Sequence, residues 1–291
     1  MIKHECGIGF IRLRKPLEFY QKKYGTWMYG LQKLYLLMEK QHNRGQDGAG
    51  IAALKIDLPP GRKYLFRRRS NKSNALKEVF DKINRGFRDT GENTPEQLND
   101  PYWAKENLPF AAELYIGHLR YGTYGKYDIG AVHPVARENN WKSRNLVLAG
   151  NFNLTNVDEL FDILVGLGQT PKDYSDTVTI LEKVGHFLDE MNQELFQEYK
   201  EKGYGNKEIS PLIEENLNIA SILSSASKRW DGGYVIAGFI GHGDGFVFRD
   251  PWGIRPGFYY YDDEIAVVAS ERPVIQTVLN VPFESIREIP P

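Results

Sequence analysis

The sequence predicts an α+β fold in which two antiparallel sheets face each other and helices cover their outer sides, a four-layer αββα sandwich. Three observations point there. Strand-like segments come in hairpin pairs: "GGYVIAGFIGHGDGFVFRD" sets two apolar runs about a Gly-Asp-Gly turn, and "GFYYYDDEIAVVAS" repeats the pattern about an acidic turn. Amphipathic helices stand between these strands and can supply the apolar cover that antiparallel sheets need. Strict strand–helix–strand alternation, the mark of a parallel sheet, is scarce.

Taken in order, residues 6–13 alternate small and apolar side chains and read as a strand. Trp27, Leu31, Leu34, Tyr35 and Met38 recur at helical spacing and place a helix over 27–41. "QHNRGQDGAGIAAL" is a polar, glycine-rich turn that passes into a strand near 49–54. Residues 57–111 differ in composition and read as a solvated, partly helical surface insertion, with a helix at 74–85. Its run Arg67-Arg68-Arg69 is expected to be a solvated face rather than a phosphate site. "AAELYIGHLRYGTYG" is a strand ending in a glycine-punctuated loop, and "NLVLAGNFNLTNVDELFDIL" is strand, turn and helix. Asn156 with Glu159 looks like a capping box, above a stripe of Val157, Leu160, Phe161 and Leu164. "YSDTVTILEKVGHFLDEM" is a second helix with Leu181, Val184, Leu188 and Met191 on one face. A loop at 199–211 and a helix at 214–228 lead into the hairpins.

Composition narrows the function. At 291 residues with 41% hydrophobic and 13% aromatic side chains, the chain can bury a sizeable core. A net charge of −1 offers no bulk attraction to nucleic acid or to an anionic membrane. A single cysteine excludes an intrachain disulfide and suits a reducing, cytoplasmic setting. No apolar run reaches the length of a spanning helix, and the first residues do not read as a secretory signal.

That one cysteine, Cys6, lies beside Gly7 and Gly9 near the start of the chain. A lone Cys is ordinarily a small buried hydrophobe. Here its surroundings suit the splitting of a carboxamide. A thiolate must attack, a base must take the thiol proton and return it to the leaving ammonia, and donors must hold the oxyanion. If Cys6 were the first residue, its own α-amine could be that base. An α-amine titrates at about 7.7–8.0 and a thiol at about 8.5, so the proton moves cheaply in both directions.

"CGIGF", "LYLLMEKQHNRGQDGAGIA", "IGHLRYGTYG", "AVHP", "LAGNFNLTN", "YSDTVTILEKV" and "VFRDPWGIRP…VASE" follow in this order. The series resembles the class II glutamine amidotransferases, which are N-terminal-nucleophile (Ntn) hydrolases, and within them the glutaminase domain of the amidophosphoribosyltransferase family. The resemblance covers 6–56 and 112–290. It implies an Ntn hydrolase-like fold and hydrolysis of L-glutamine to glutamate and ammonia through a γ-glutamyl thioester on Cys6. By the same resemblance Arg120 binds the glutamine α-carboxylate, for which a guanidinium fork is suited, and Asp176 pairs with its α-ammonium. Asn151 and the amide of Phe152 would form the oxyanion hole, and Tyr121 and Thr123 would line the pocket. Arg44, Gly45 and Gln46 match a loop beside the nucleophile, and His133 matches a structural or pocket position.

Two departures border this site. Phe152 stands where the family has glycine, which tolerates a left-handed backbone that Phe does not, and Asn43 is an extra residue between His42 and Arg44. Met1–Glu5 reads as a propeptide, because a peptide nitrogen on Cys6 cannot serve as the base; 6–291 is the amidotransferase domain, with the insertion at 57–111. No phosphoribosyltransferase domain is recognisable, so the acceptor of ammonia, phosphoribosyl pyrophosphate, would be bound by that domain in a longer chain or by a separate one. The glutaminase step needs no cofactor; Mg2+ would belong to the acceptor domain. No nucleic acid or membrane partner is expected, and a homo-oligomer is compatible with the resemblance. Alternatives are the glutaminase domain of another amidotransferase, such as glucosamine-6-phosphate synthase, or an inactive regulatory or assembly relative.

Overall fold

The computed structural model describes residues 5–92, 95–122 and 129–291. Strand β1 (Gly7–Leu13) is followed by helices α1 (Leu17–Tyr24) and α2 (Tyr29–Lys40), then strands β2 (Gly48–Leu54) and β3 (Leu65–Ser70). Helices α3 (Ala75–Gly91) and α4 (Pro101–Asn107) lead to β4 (Leu114–Arg120), β5 (Val135–Arg137) and β6 (Leu146–Leu154). A helical stretch comes next: α5 (Val157–Gly166), α6 (Asp176–Glu201), α7 (Asn206–Asn216) and α8 (Ile219–Ala226). The last elements are β7 (Gly232–Ile240), β8 (Gly245–Arg249), β9 (Phe258–Tyr261), β10 (Ile265–Ala269), α9 (Arg272–Leu279) and β11 (Arg287–Glu288).

The strands form two sheets, one of order β11-β9-β10-β1-β4-β2-β3 and one of order β5-β6-β7-β8. Every pairing among the described residues is antiparallel. Three apolar clusters separate four layers, as the αββα expectation requires. Ile8, Phe10, Ile116, Val147, Ala149, Val235, Ala237 and Phe239 fill the space between the sheets. Ile11, Leu13, Ile51 and Val267 pack outward against Leu31, Leu34, Leu37 and Met38 of α2. Leu146, Leu148 and Ile236 pack outward against Ile180, Val184 and Leu188 of α6. The period-2 alternation of each strand puts one set of side chains in the middle and the other under helices.

Four expectations change. The 57–111 segment is not merely solvated: β3 extends the larger sheet, and α3 buries Leu76, Val79, Phe80, Ile83 and Phe87 in its core. Those positions fall at i, i+3, i+4, i+7 and i+11, a full amphipathic stripe inside a charged sequence. In the arginine run, Arg67 and Arg68 are exposed, while Arg67 donates to the Pro134 carbonyl and Arg69 to that of Val132. The run thus fastens the segment that carries His133. Residues 199–211 are not a loop but the end of α6 and most of α7, whose Ile209 and Ile213 are buried; α7 and α8 replace the single helix expected at 214–228. Finally, Asn156 caps no backbone N–H; its amide donates to the Glu159 carboxylate at 3.1 Å and to the Arg229 carbonyl at 2.8 Å.

Candidate active site

The site forms where strands of the two sheets end side by side. In β4 the residues facing the other sheet are Leu114, Ile116, His118 and Arg120, so the alternation turns from apolar to polar at its last two steps. Gly7 pairs with Leu119, which leaves Cys6 one step beyond the ladder, opposite Arg120. The Cys6 Sγ accepts the Tyr121 backbone N–H at 3.4 Å. Burial pushes the thiol up from its ordinary value, and the Tyr121 amide with Arg120, Arg255 and Arg44 draws it back in part.

A cavity of about 230 Å³ opens beside the sulfur, lined by Cys6, His118, Arg120, Tyr121, His133 and Asp176, with Phe152 on its wall. Arg120 is buried, at 5% exposure. Asp176 opens α6, where Ser175 caps the helix by accepting the Val178 N–H at 3.3 Å. Burial raises the Asp176 carboxyl; the Thr177 amide, the Thr177 hydroxyl and the charge of Arg120 oppose that rise. Arg120 and Asp176 therefore stand as opposite charges on one cavity, the arrangement that would hold both charges of an α-amino acid.

Two buried histidines shape its floor. Gly150 N–H donates to His133 Nδ1 at 3.2 Å, and His118 Nε2 lies 3.1 Å from the Gly150 carbonyl. With Nδ1 accepting, His133 presents Nε2–H to Thr177 Oγ1 at 3.1 Å, and that hydroxyl donates to Asp176 Oδ1 at 3.3 Å. Burial holds His133 down at about 4 and His118 well below its ordinary value, so both rings are neutral at pH 7. His118 and Thr177 were not foreseen as site residues. The signal for His118 lay in its position two residues before Arg120 on one strand face.

Phe152 corrects the cost expected of it. It lies within β6, and its φ is not positive. Its ring stacks on His133, with centroids 5.1 Å apart. The space comes from Gly150 on the same strand face: a Cβ there would lie 2.6 Å from Phe152 Cδ1.

Asn151, 3% exposed, donates through Nδ2 to the Glu5 carboxylate at 3.2 Å. Arg44 follows α2 in a short turn; its Nε donates to the Cys6 carbonyl at 3.2 Å and its Nη2 to Glu5 at 3.0 Å. Gly45 does not line the cavity; it lies against β4, where a Cβ would meet the Arg120 backbone at 2.6 Å. Only glycine allows that approach. Arg255, which sequence reasoning passed over, also reaches Glu5. Its loop is held by Asp250, whose carboxylate accepts the N–H groups of Tyr234, Trp252, Ile254 and Arg255 at 2.9–3.2 Å. Thr123 lies outside the described residues. No group of three metal-ligating side chains occurs among the described residues, and no helix there is long and apolar enough to cross a membrane.

No protein-family model matches the chain. The amidophosphoribosyltransferase of Escherichia coli (strain K12) is 26% identical over 266 residues, 89% of this chain and 42% of that protein. The fold is shared with the glutamine phosphoribosylpyrophosphate amidotransferase of B. subtilis complexed with ADP and GMP. That likeness has a TM-score of 0.61 at 22% identity, over 98% of this chain and 46% of the other. A structure of the allosteric regulatory enzyme of purine biosynthesis matches equally, with a TM-score of 0.61 at 22% identity over 98% of this chain and 45% of its own. The chain thus spans less than half the length of these relatives and has the Ntn hydrolase-like fold of its amidophosphoribosyltransferase neighbours.

Proposed function

We propose that this chain hydrolyses L-glutamine to glutamate and ammonia, as the glutaminase part of an amidophosphoribosyltransferase-like enzyme of purine biosynthesis. The observation that carries the reading is one cavity lined at once by Cys6, Arg120 and Asp176. At about 230 Å³ it is smaller than the roughly 300–1,000 Å³ of pockets for drug-sized ligands and suits a single amino acid.

Arg120 takes the α-carboxylate and Asp176 the α-ammonium, which restores the charge that burial disfavours on Asp176. Tyr121 completes the pocket. Removal of Met1–Glu5 exposes the α-amine of Cys6, which accepts the thiol proton as Sγ attacks the side-chain carbonyl. Asn151 Nδ2 and the Phe152 N–H hold the oxyanion. Collapse breaks the C–N bond, and ammonia leaves with the proton from the amine. Water, deprotonated by the same amine, then opens the γ-glutamyl thioester. His133 orients Asp176 through Thr177 and moves no proton. Arg44 steadies the backbone of Cys6 through its bond to the Cys6 carbonyl.

Ammonia would pass to phosphoribosyl pyrophosphate on a phosphoribosyltransferase domain, where any Mg2+ requirement belongs. The sequence likeness to an amidophosphoribosyltransferase favours this acceptor over that of a glucosamine-6-phosphate synthase. A cytoplasmic location fits the single free cysteine.

Incubation with 6-diazo-5-oxo-norleucine should add one label per leaderless chain, with release of glutamate from glutamine, and Cys6→Ala should abolish both. Labelling that survives Cys6→Ala, or a leaderless wild-type chain that neither labels nor turns over, rejects the reading.

A further inference from the structure

We infer that Arg44, Arg255 and Asn151 form a carboxylate-binding clamp for the residue preceding Cys6, and that Glu5 fills it as a plug while the leader is attached. The inference rests on the preceding section for the identity of the nucleophile.

Three side chains from distant parts of the chain converge on one carboxylate. Arg44 Nη2 meets Glu5 Oε2 at 3.0 Å, Asn151 Nδ2 meets the same oxygen at 3.2 Å, and Arg255 Nη1 meets Oε1. The guanidinium of Arg44 also takes the Cys6 carbonyl at 3.2 Å, so one group holds both sides of the Glu5–Cys6 link. Arg44 and Arg255 are 13% and 19% exposed in their side chains, sheltered enough that each guanidinium gains from an acidic partner. Glu271 serves Arg44 at 3.3 Å; the ion pair of Arg255 is with Glu5. The aim of Arg255 is built in, because Asp250 fixes its loop by four backbone bonds.

Two consequences follow for the sulfur. While Glu5 is present, one N–H of Asn151 Nδ2 is taken by its carboxylate and is withheld from an oxyanion. The carboxylate also offsets two of the cations that favour the thiolate of Cys6. Loss of Glu5 frees that N–H and removes the ion pair of Arg255 beside the thiol, while Arg44 keeps its pair with Glu271. The ligand class is an acidic side chain with the reach of glutamate; a neutral amide of the same shape lacks the charge that two guanidiniums require.

The single thiol makes the test direct. In leader-bearing chains identified by intact mass, E5Q should be alkylated by iodoacetamide several-fold faster than wild type, with the pH midpoint of the rate moved down. In a chain starting at Cys6, a pentapeptide amide with the sequence of residues 1–5 should slow alkylation. The same peptide with Gln in place of Glu should need about tenfold more or greater, and Arg255→Ala should erase the contrast. Unchanged alkylation in E5Q, or equal protection by the two peptides, overturns the clamp. Alkylation requires no glutamine turnover, so a clamp that fails here leaves the glutaminase reading standing, and a glutaminase assay that fails leaves the clamp standing.

Discussion

Gly150 and Phe152 illustrate how a bulky residue can stand at the candidate site at no backbone cost. Read alone, Phe152 in the place of glycine threatens a left-handed backbone. The strand conformation removes that threat, and the ring occupies space that only a glycine at 150 leaves open. The pair should therefore be energetically coupled. Gly150→Ala drives a methyl into the Phe152 ring and against Ile236 Cγ1, where contacts of 2.6 and 2.9 Å would result. A cost of about 1–3 kcal/mol is expected in urea unfolding. Adding Phe152→Ala should recover part of it, with a coupling energy of about 1–2 kcal/mol. Strict additivity of the two changes would show that the residues do not share that space.

Among the elements, α3 departs furthest from its expected setting. Its surroundings in sequence are charged, and its stripe of Leu76, Val79, Phe80, Ile83 and Phe87 is visible only if the segment is read at helical period. Trp27 binds this region twice, by its indole N–H to the Leu98 carbonyl at 2.7 Å and by edge contact with Phe87 at 5.5 Å. Phe80→Ala should cost about 3–5 kcal/mol in chemical denaturation. Arg68→Ala, on the exposed side of β3, should stay within about 0.5 kcal/mol. A Phe80→Ala chain as stable as wild type would return 57–111 to the status of a solvated appendage. The strands were easier to read. The β4 alternation Leu114, Ile116, His118, Arg120 carried both the layer and the site in four residues, since period 2 links sequence to face without further information.

At the scale of the molecule, the site is stapled between layers by neutral histidines, and this gives stability a pH dependence. The unfolded chain takes protons onto His118 and His133 from about pH 6.5 downward, whereas folded His133 resists until about 4. Because the unfolded state binds more protons in that window, stability falls as pH falls through it. His133 alone accounts for on the order of 3 kcal/mol between pH 7 and 4. His133→Gln should flatten that limb of a stability–pH curve while lowering stability at pH 7; an unchanged slope would show that the ring does not stay neutral when folded. The sequence by itself determined the α+β class, the paired strands, the α2 and α6 stripes and the order of the motifs, because local periodicity and turn chemistry write these directly into neighbouring residues. Only the tertiary structure decided that α3 is core, that Gly150 accommodates Phe152, and that Arg44, Asn151 and Arg255 meet on Glu5. Each of those depends on which distant segments are brought within a few ångströms, and contact across such separations leaves no period in the chain.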